Sequence, residues 1–206
     1  MMDYGTGQHR RIISVNQSFE SLGHTFSNAL LFFHAFTGCE STSSFYGKPK
    51  TFWFKQLQSY PRRYDVTLTF KKLSWTPKKE DVDTSLAEIE KFVCYCYGRG
   101  DLQTVDMARY QIFTSKASGN LQELPPTKNS SKLHIMRSAF QGGWIWGNTI
   151  RQTICPPVSE WGWFYASDSF NIKINWYVND TDQESMTLAK LIKTCKCKQS
   201  FSSCQK

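Results

Sequence analysis

A mainly α-helical fold, with a small β-hairpin at the start and an irregular, aromatic-rich final third, is predicted by three observations. Apolar residues recur at three- and four-residue spacing from about residue 25 to residue 150. Ahead of them lies one extended apolar stretch, Ile12-Ile13-Ser14-Val15. Past Ile150 the helical period gives way to Cys155-Pro156-Pro157, Trp161-Gly162-Trp163 and Phe170-Asn171-Ile172-Lys173-Ile174-Asn175-Trp176.

Taken in order, His9 to Val15 reads as a short strand, with Ile13 and Val15 on one face and Ile12 on the other. Only residues 1–4 precede it as a pairing partner, and a lone hairpin is marginally stable, so this strand is expected to be the edge of a sheet whose other members are missing. Thr25 or Ser27 is the expected cap of a buried helix carrying Phe26, Ala29, Leu30, Phe32, Phe33 and Phe36, closed by Gly38. A polar loop, Cys39 to Ser44, leads to a second helix over about Thr51 to Tyr60, with Pro49 at its entrance and Pro61 closing it. Leu68, Phe70, Leu73 and Trp75 suggest a third helix, against which the β-branched run Val66-Thr67-Leu68-Thr69 argues for strand.

From Asp81 to Tyr97, Leu86, Ile89, Phe92, Val93 and Cys96 repeat with the helical period, with Asp83 or Thr84 as start and Gly98 as stop. Val105 to Ser115 repeats the pattern, and Pro125-Pro126-Thr127 opens a long helix from Lys128 to about Ile150. The final third is read as extended structure with one strand, followed by a short helix over Ser185 to Cys195. The organisation expected is a helical domain over residues 1–150, an aromatic-rich extended segment over 151–189 packed on it, and a basic, cysteine-containing tail over 190–206.

The chain has 206 residues with 40 % hydrophobic and 15 % aromatic content, enough for one ordinary core and too much apolar material for a disordered chain. Lys plus Arg number 25 against 17 Asp plus Glu, a formal charge of +8, which favours a polyanionic partner without naming it. No membrane partner is expected: a span needs about 20 apolar residues, and Phe26 to Phe36 is shorter and interrupted by Asn28 and His34. The opening seven residues lack the apolar core of a secretory signal, so a reducing, intracellular setting without disulfides is expected.

The 7 cysteines fall in two groups. Cys39, Cys94, Cys96 and Cys155 are scattered and read as small hydrophobes. Cys195, Cys197 and Cys204 are interleaved with lysines, which favour thiolate and hence zinc, although a structural zinc site takes four ligands and three are present. The tail is read either as the start of a zinc segment or as a basic extension.

One patch stands apart. His34-Ala35-Phe36-Thr37-Gly38-Cys39-Glu40-Ser41-Thr42-Ser43 ends an apolar helix in a glycine, a carboxylate and a hydroxyl cluster, and Phe45-Tyr46-Gly47-Lys48-Pro49-Lys50 follows. From the residues alone, Glu40 is either a ligand for a hard divalent cation or an exposed loop carboxylate. The two segments resemble the HAFTGCDTTS and F-GKGKK signature of uncharacterised, mobile-element-associated animal proteins, which in turn resemble the C-terminal half of PIN-type, flap-endonuclease-like nucleases. Further blocks fit the same resemblance: Tyr4-Gly5-Thr6-Gly7, Arg11-Ile12-Ile13, Ile89 to Val93, Ala108 to Phe113, Leu124 to Thr127, Ala139 to Gly147 and Glu160 to Trp163. Cys195-Lys196-Cys197 resembles the start of the cysteine-rich CXC segment that follows in such proteins.

The resemblance implies that Glu40 occupies a magnesium-ligand slot, and that Gly47, Lys48 and Lys50 form a phosphate-contacting loop on DNA. Two departures bear on catalysis. The slot usually holds aspartate, and metal sites tolerate ligand displacements of only about 0.2 Å without rearrangement. The resemblance further implies that the family's other metal-binding acids belong to upstream strands, which are expected to be missing from this chain. The expectation is therefore a nucleic-acid-binding, catalytically incomplete piece, intracellular and, by family analogy, nuclear, with a magnesium-dependent nuclease or a structural or protein-interaction module as alternatives.

Lys48, Lys50, Lys55, Arg62, Arg63, Lys71, Lys72, Lys78 and Lys79 form a basic stretch that encloses Phe52, Trp53, Phe54 and Tyr60. Aromatics among cations suit single-stranded nucleic acid. Three consecutive aromatics on a helix cannot share one face, however, so core packing is the favoured expectation for Phe52 to Phe54. Trp144, Trp146, Trp161 and Trp163 are likewise expected in the core rather than in a ligand cage. His34 is expected to be structural, and Ser41 to Ser43 have no histidine base nearby in sequence.

Overall fold

Ser14 turns the chain from strand to helix. Its side chain accepts a hydrogen bond from the backbone N–H of Gln17, so the strand stops at Ile13 and Val15 begins a helix. The fold is that of a computed structural model describing residues 1–115, 120–149, 153–166 and 171–176. These belong to one unit, Met1–Trp176. The helix expected over Ser185 to Cys195, and the tail cysteines, lie outside the described residues.

The chain is mainly helical. Strands β1 (Met2–Tyr4) and β2 (Arg11–Ile13) pair antiparallel with Met2 opposite Ile13, which is the expected hairpin. Helix α1 (Val15–Leu22) was not expected, and Val15 is not a strand residue. The helix expected from Thr25 or Ser27 to Phe36 is in fact two, α2 (His24–Ser27) and α3 (Leu30–Phe36), and Gly23 stands at the cap position of the first. The break is stitched from outside. The carbonyl of Asn28 accepts from Trp75 Nε1 at 2.9 Å, and the N–H of Phe32 donates to Ser74 Oγ at 3.1 Å. Those two backbone groups would have bonded to each other in a continuous helix.

Helices α4 (Lys50–Ser59), α5 (Arg63–Leu73), α6 (Lys79–Cys96) and α7 (Val105–Ser115) follow. The β-branched run is helical: the Thr67 and Thr69 hydroxyls donate to the carbonyls of Arg63 and Asp65, and Val66, Thr67, Phe70 and Leu73 are buried. Helix α6 begins earlier than Asp83, because the Asp81 carboxylate accepts from the N–H of Lys78 at 2.8 Å.

Thr127 caps α8 (Lys128–Ala139) by accepting from the N–H of Ser130. The helix does not continue to Ile150 as α. Residues Phe140–Trp146 form a π-helical turn, in which Gly147 N–H reaches back to the carbonyl of Gly142. Close packing explains the glycines here: a Cβ on Gly142 would lie 2.8 Å from the Leu31 carbonyl oxygen, and one on Gly143 would lie 2.4 Å from Pro77. The final third holds two strands rather than one, β3 (Trp163–Tyr165) and β4 (Ile172–Ile174), paired antiparallel.

The core is aromatic. Phe36 meets Phe32, Trp53 and Phe70 at ring-centroid distances of 5.6, 5.6 and 5.8 Å, and Phe92 closes the cluster against Trp53 and Phe70 at 5.9 Å each. Such pairs add about 0.5–1.5 kcal/mol each beyond area burial. Trp53 is fully buried, and Phe52 and Phe54 pack partly buried against the cluster. Trp161 is buried, and Trp144 and Trp163 pack against the same core. No described helix is long and apolar enough to cross a membrane.

Candidate functional site

The segment after α3 forms a tight corner. Gly38 has φ +102, and Cys39 and Thr42 exchange backbone hydrogen bonds across a short turn with Glu40 at its tip. Thr42 Oγ1 donates to the carbonyl of Ala35 at 2.6 Å and anchors the turn on α3. Glu40 is exposed. Among the described residues no group of three or more His, Cys, Asp or Glu side chains is placed to hold a metal ion. A single exposed carboxylate does not fit the magnesium slot that the resemblance implies.

Lys50 lies at the opposite end of the same loop, and its ammonium turns inward. It donates to the carbonyl of His34 at 2.6 Å, to Thr37 Oγ1 at 3.0 Å and to the carbonyl of Gly38. These are acceptors at the C-terminal end of α3, where a cation is favoured by the helix dipole. Burial pulls the Lys50 pKa below its ordinary value, with the nearby Cys39 thiol acting the other way. Burial pushes the Cys39 thiol up, but hydrogen bonds from Ser41 and Thr42 outweigh it and the net shift is downward. His34 is lowered by burial and by Lys50, partly offset by Glu40.

Lys48 performs a similar task for α6. Its Nζ donates to the carbonyl of Cys96 at 3.3 Å and sits 4.3 Å from the ring centres of both Phe52 and Tyr97. Lys48 and Lys50 thus tie one loop to the ends of two helices. Lys55 is exposed on α4.

Between this loop, the end of α6 and α7 runs a groove of about 480 Å³, whose lining includes Tyr46, Gly47, Lys48, Tyr97, Arg99 and Glu123. Gly47 takes φ +66, which a Cβ-bearing residue rarely adopts, and this presents Tyr46 outward at 54 % exposure. Arg99 donates from Nη1 to the carbonyl of Gly98 and has no acidic partner among the described residues. Burial raises the Tyr97 hydroxyl to about 12, so it stays protonated.

Of the residues expected to act together, the structure places Gly47 and Lys48 in this groove. Lys50 and Glu40 belong to the α3 corner, and Lys55 stands apart on α4. Tyr46, Tyr97 and Arg99 were not expected as site residues. Tyr46 lies inside the Phe45-to-Lys50 segment, but Tyr97-Gly98-Arg99 reads only as a helix stop, about 50 residues away in sequence. Cys195, Cys197 and Cys204 lie outside the described residues. Comparison of the chain with protein-family models, with curated proteins and with solved structures gives no match in any of the three.

Proposed function

We propose that the chain is a nucleic-acid-binding module, a catalytically incomplete relative of PIN-like nucleases of mobile elements, acting inside the cell and in the nucleus. Its ligand is a single-stranded segment of DNA held in the Tyr46–Arg99 groove. The observation that supports this is the pairing, in one groove, of an outward-facing tyrosine with an arginine that makes no ion pair among the described residues. Ring faces stack on bases of any sequence, and the cations meet the phosphates. The overall excess of basic residues works in the same direction.

The test is fluorescence anisotropy of a labelled single-stranded oligonucleotide against the full chain at low salt. Tyr46→Ala weakens binding by about 1–3 kcal/mol if the ring stacks on a base. Absence of binding at low salt would remove the proposal and favour a protein-interaction module. Magnesium-dependent cleavage of the same oligonucleotide, abolished by Glu40→Gln, would contradict the catalytically incomplete part of it.

A further inference from the structure

Arg137 lies on α8 at 4 % exposure, and no acidic side chain faces it among the described residues. Its Nη1 donates to the carbonyl oxygens of Gly162 at 3.2 Å and Asn175 at 3.0 Å. A guanidinium has five N–H donors, so Nε and Nη2 are left without a protein acceptor among the described residues. Burial alone lowers the Arg137 pKa, with no carboxylate acting to raise it again. A buried cation without a counter-charge is costly.

The same side chain lines a pocket of about 190 Å³ together with Ser43, Ser44, Ser130, Phe45 and Trp176. The hydroxyls differ in what they have left to offer. Ser43 Oγ is engaged with His134 Nδ1 at 3.1 Å. His134 Nε2 lies 2.8 Å from the carbonyl of Phe36, so Nε2 carries the ring proton and Ser43 is the donor to Nδ1. Ser130 accepts from the Thr127 hydroxyl at 3.0 Å, which leaves its own proton to donate. Ser44 is exposed and has no side-chain partner among the described residues. The pocket therefore offers a planar guanidinium fork and two hydroxyl donors, and no acid lines it. Its volume is below the roughly 300 Å³ at which pockets for drug-sized ligands begin.

We propose that this pocket binds a phosphate group, either as the free ion or as a monoester, with Arg137 as the fork and Ser44 and Ser130 as hydroxyl donors. A guanidinium fork matches two oxygens of a tetrahedral anion, and Trp176, 60 % exposed, offers a wall for whatever the phosphate is attached to. This site is separate from the Tyr46–Arg99 groove and stands whether or not that groove binds nucleic acid.

The experiment is an NMR chemical-shift titration of the full chain with inorganic phosphate, at ionic strength held constant with chloride. Saturable shifts confined to Ser44, Ser130, the Arg137 Nε–H and Trp176 are expected. Because Arg137 also clamps Gly162 and Asn175, the diagnostic variant is Ser44→Ala with Ser130→Ala, both exposed positions, which raises the dissociation constant about tenfold or more. Titrations with phenyl phosphate and with a 5′-phosphorylated dinucleotide separate the two sources: tighter binding of either indicates an esterified ligand, and equal binding indicates the free ion. No saturation, an equal response to chloride, or an unchanged dissociation constant in the double variant would each overturn the proposal.

Discussion

The Lys50 ammonium lies 2.6 Å from the carbonyl oxygen of His34, so a lysine at the start of α4 closes the end of α3. Thr37 Oγ1 and the Gly38 carbonyl complete its set of acceptors. That position is a capping position, and it sets Lys50 apart from the exposed cations. Lys50→Met is therefore expected to lower stability by about 1–3 kcal/mol, because two part-buried acceptors and one exposed one lose a charged donor. Urea denaturation of the two proteins checks this, and an unchanged midpoint would refute the capping role.

Gly38 makes the same corner tight. A Cβ there would lie 2.6 Å from Ser44 Cβ and 2.8 Å from Ser44 Cα, at a φ of +102 that L-residues rarely adopt. Gly38→Ala is expected to cost about 1–3 kcal/mol, read as a fall in melting temperature. Gly98 offers the control: its φ is +71, but nothing lies within 4 Å of a Cβ, so Gly98→Ala meets the backbone strain without the clash.

His134 predicts a pH dependence. Burial, aided by Arg137 and opposed by the hydrogen bond to Phe36, pushes its pKa from 6.5 down to about 4. Below pH 6.5 the unfolded chain takes up a proton that the folded chain refuses, so stability is full above 6.5 and falls as pH drops toward 4. The loss amounts to about 3 kcal/mol by linkage. Glu90 acts with the opposite sign, since burial raises its pKa above 4.5: its contribution is full below 4.5 and is lost as pH rises through the raised folded value. Denaturation midpoints between pH 4.5 and 7.5 are expected to rise with pH, to flatten in His134→Gln and to steepen in Glu90→Gln.

Helices α4, α6 and α7 are legible in the sequence because local signals agree with one another: Pro49 before Lys50, Gly98 after Cys96, and apolar residues at helical spacing between. Helix α1 was also within reach, since Val15, Phe19 and Leu22 are spaced by four and three, but Ile12-Ile13 ahead of them reads as a continuing strand. The break between α2 and α3 was not legible, because Ser74 and Trp75 supply its hydrogen bonds from more than forty residues away. The π-helical turn depends in the same way on the close approach of Leu31 and Pro77 to two glycines. For the site, the Gly47–Lys50 segment stands out from its composition alone. Sequence does not show that Lys50 turns inward or that Arg99 lines the same groove as Tyr46, because both depend on tertiary placement.

In the proposed function, contact with nucleic acid lies in the groove and not at the Lys50 corner. The most direct measurement compares the salt dependence of single-stranded DNA binding for the unaltered chain, Arg99→Gln and Lys50→Met, each shown to be folded. Arg99→Gln is expected to reduce the slope of log affinity against log salt by about 0.7, the value for one phosphate contact on a single strand, and Lys50→Met to leave the slope unchanged. A reduced slope in Lys50→Met together with an unchanged slope in Arg99→Gln would contradict it.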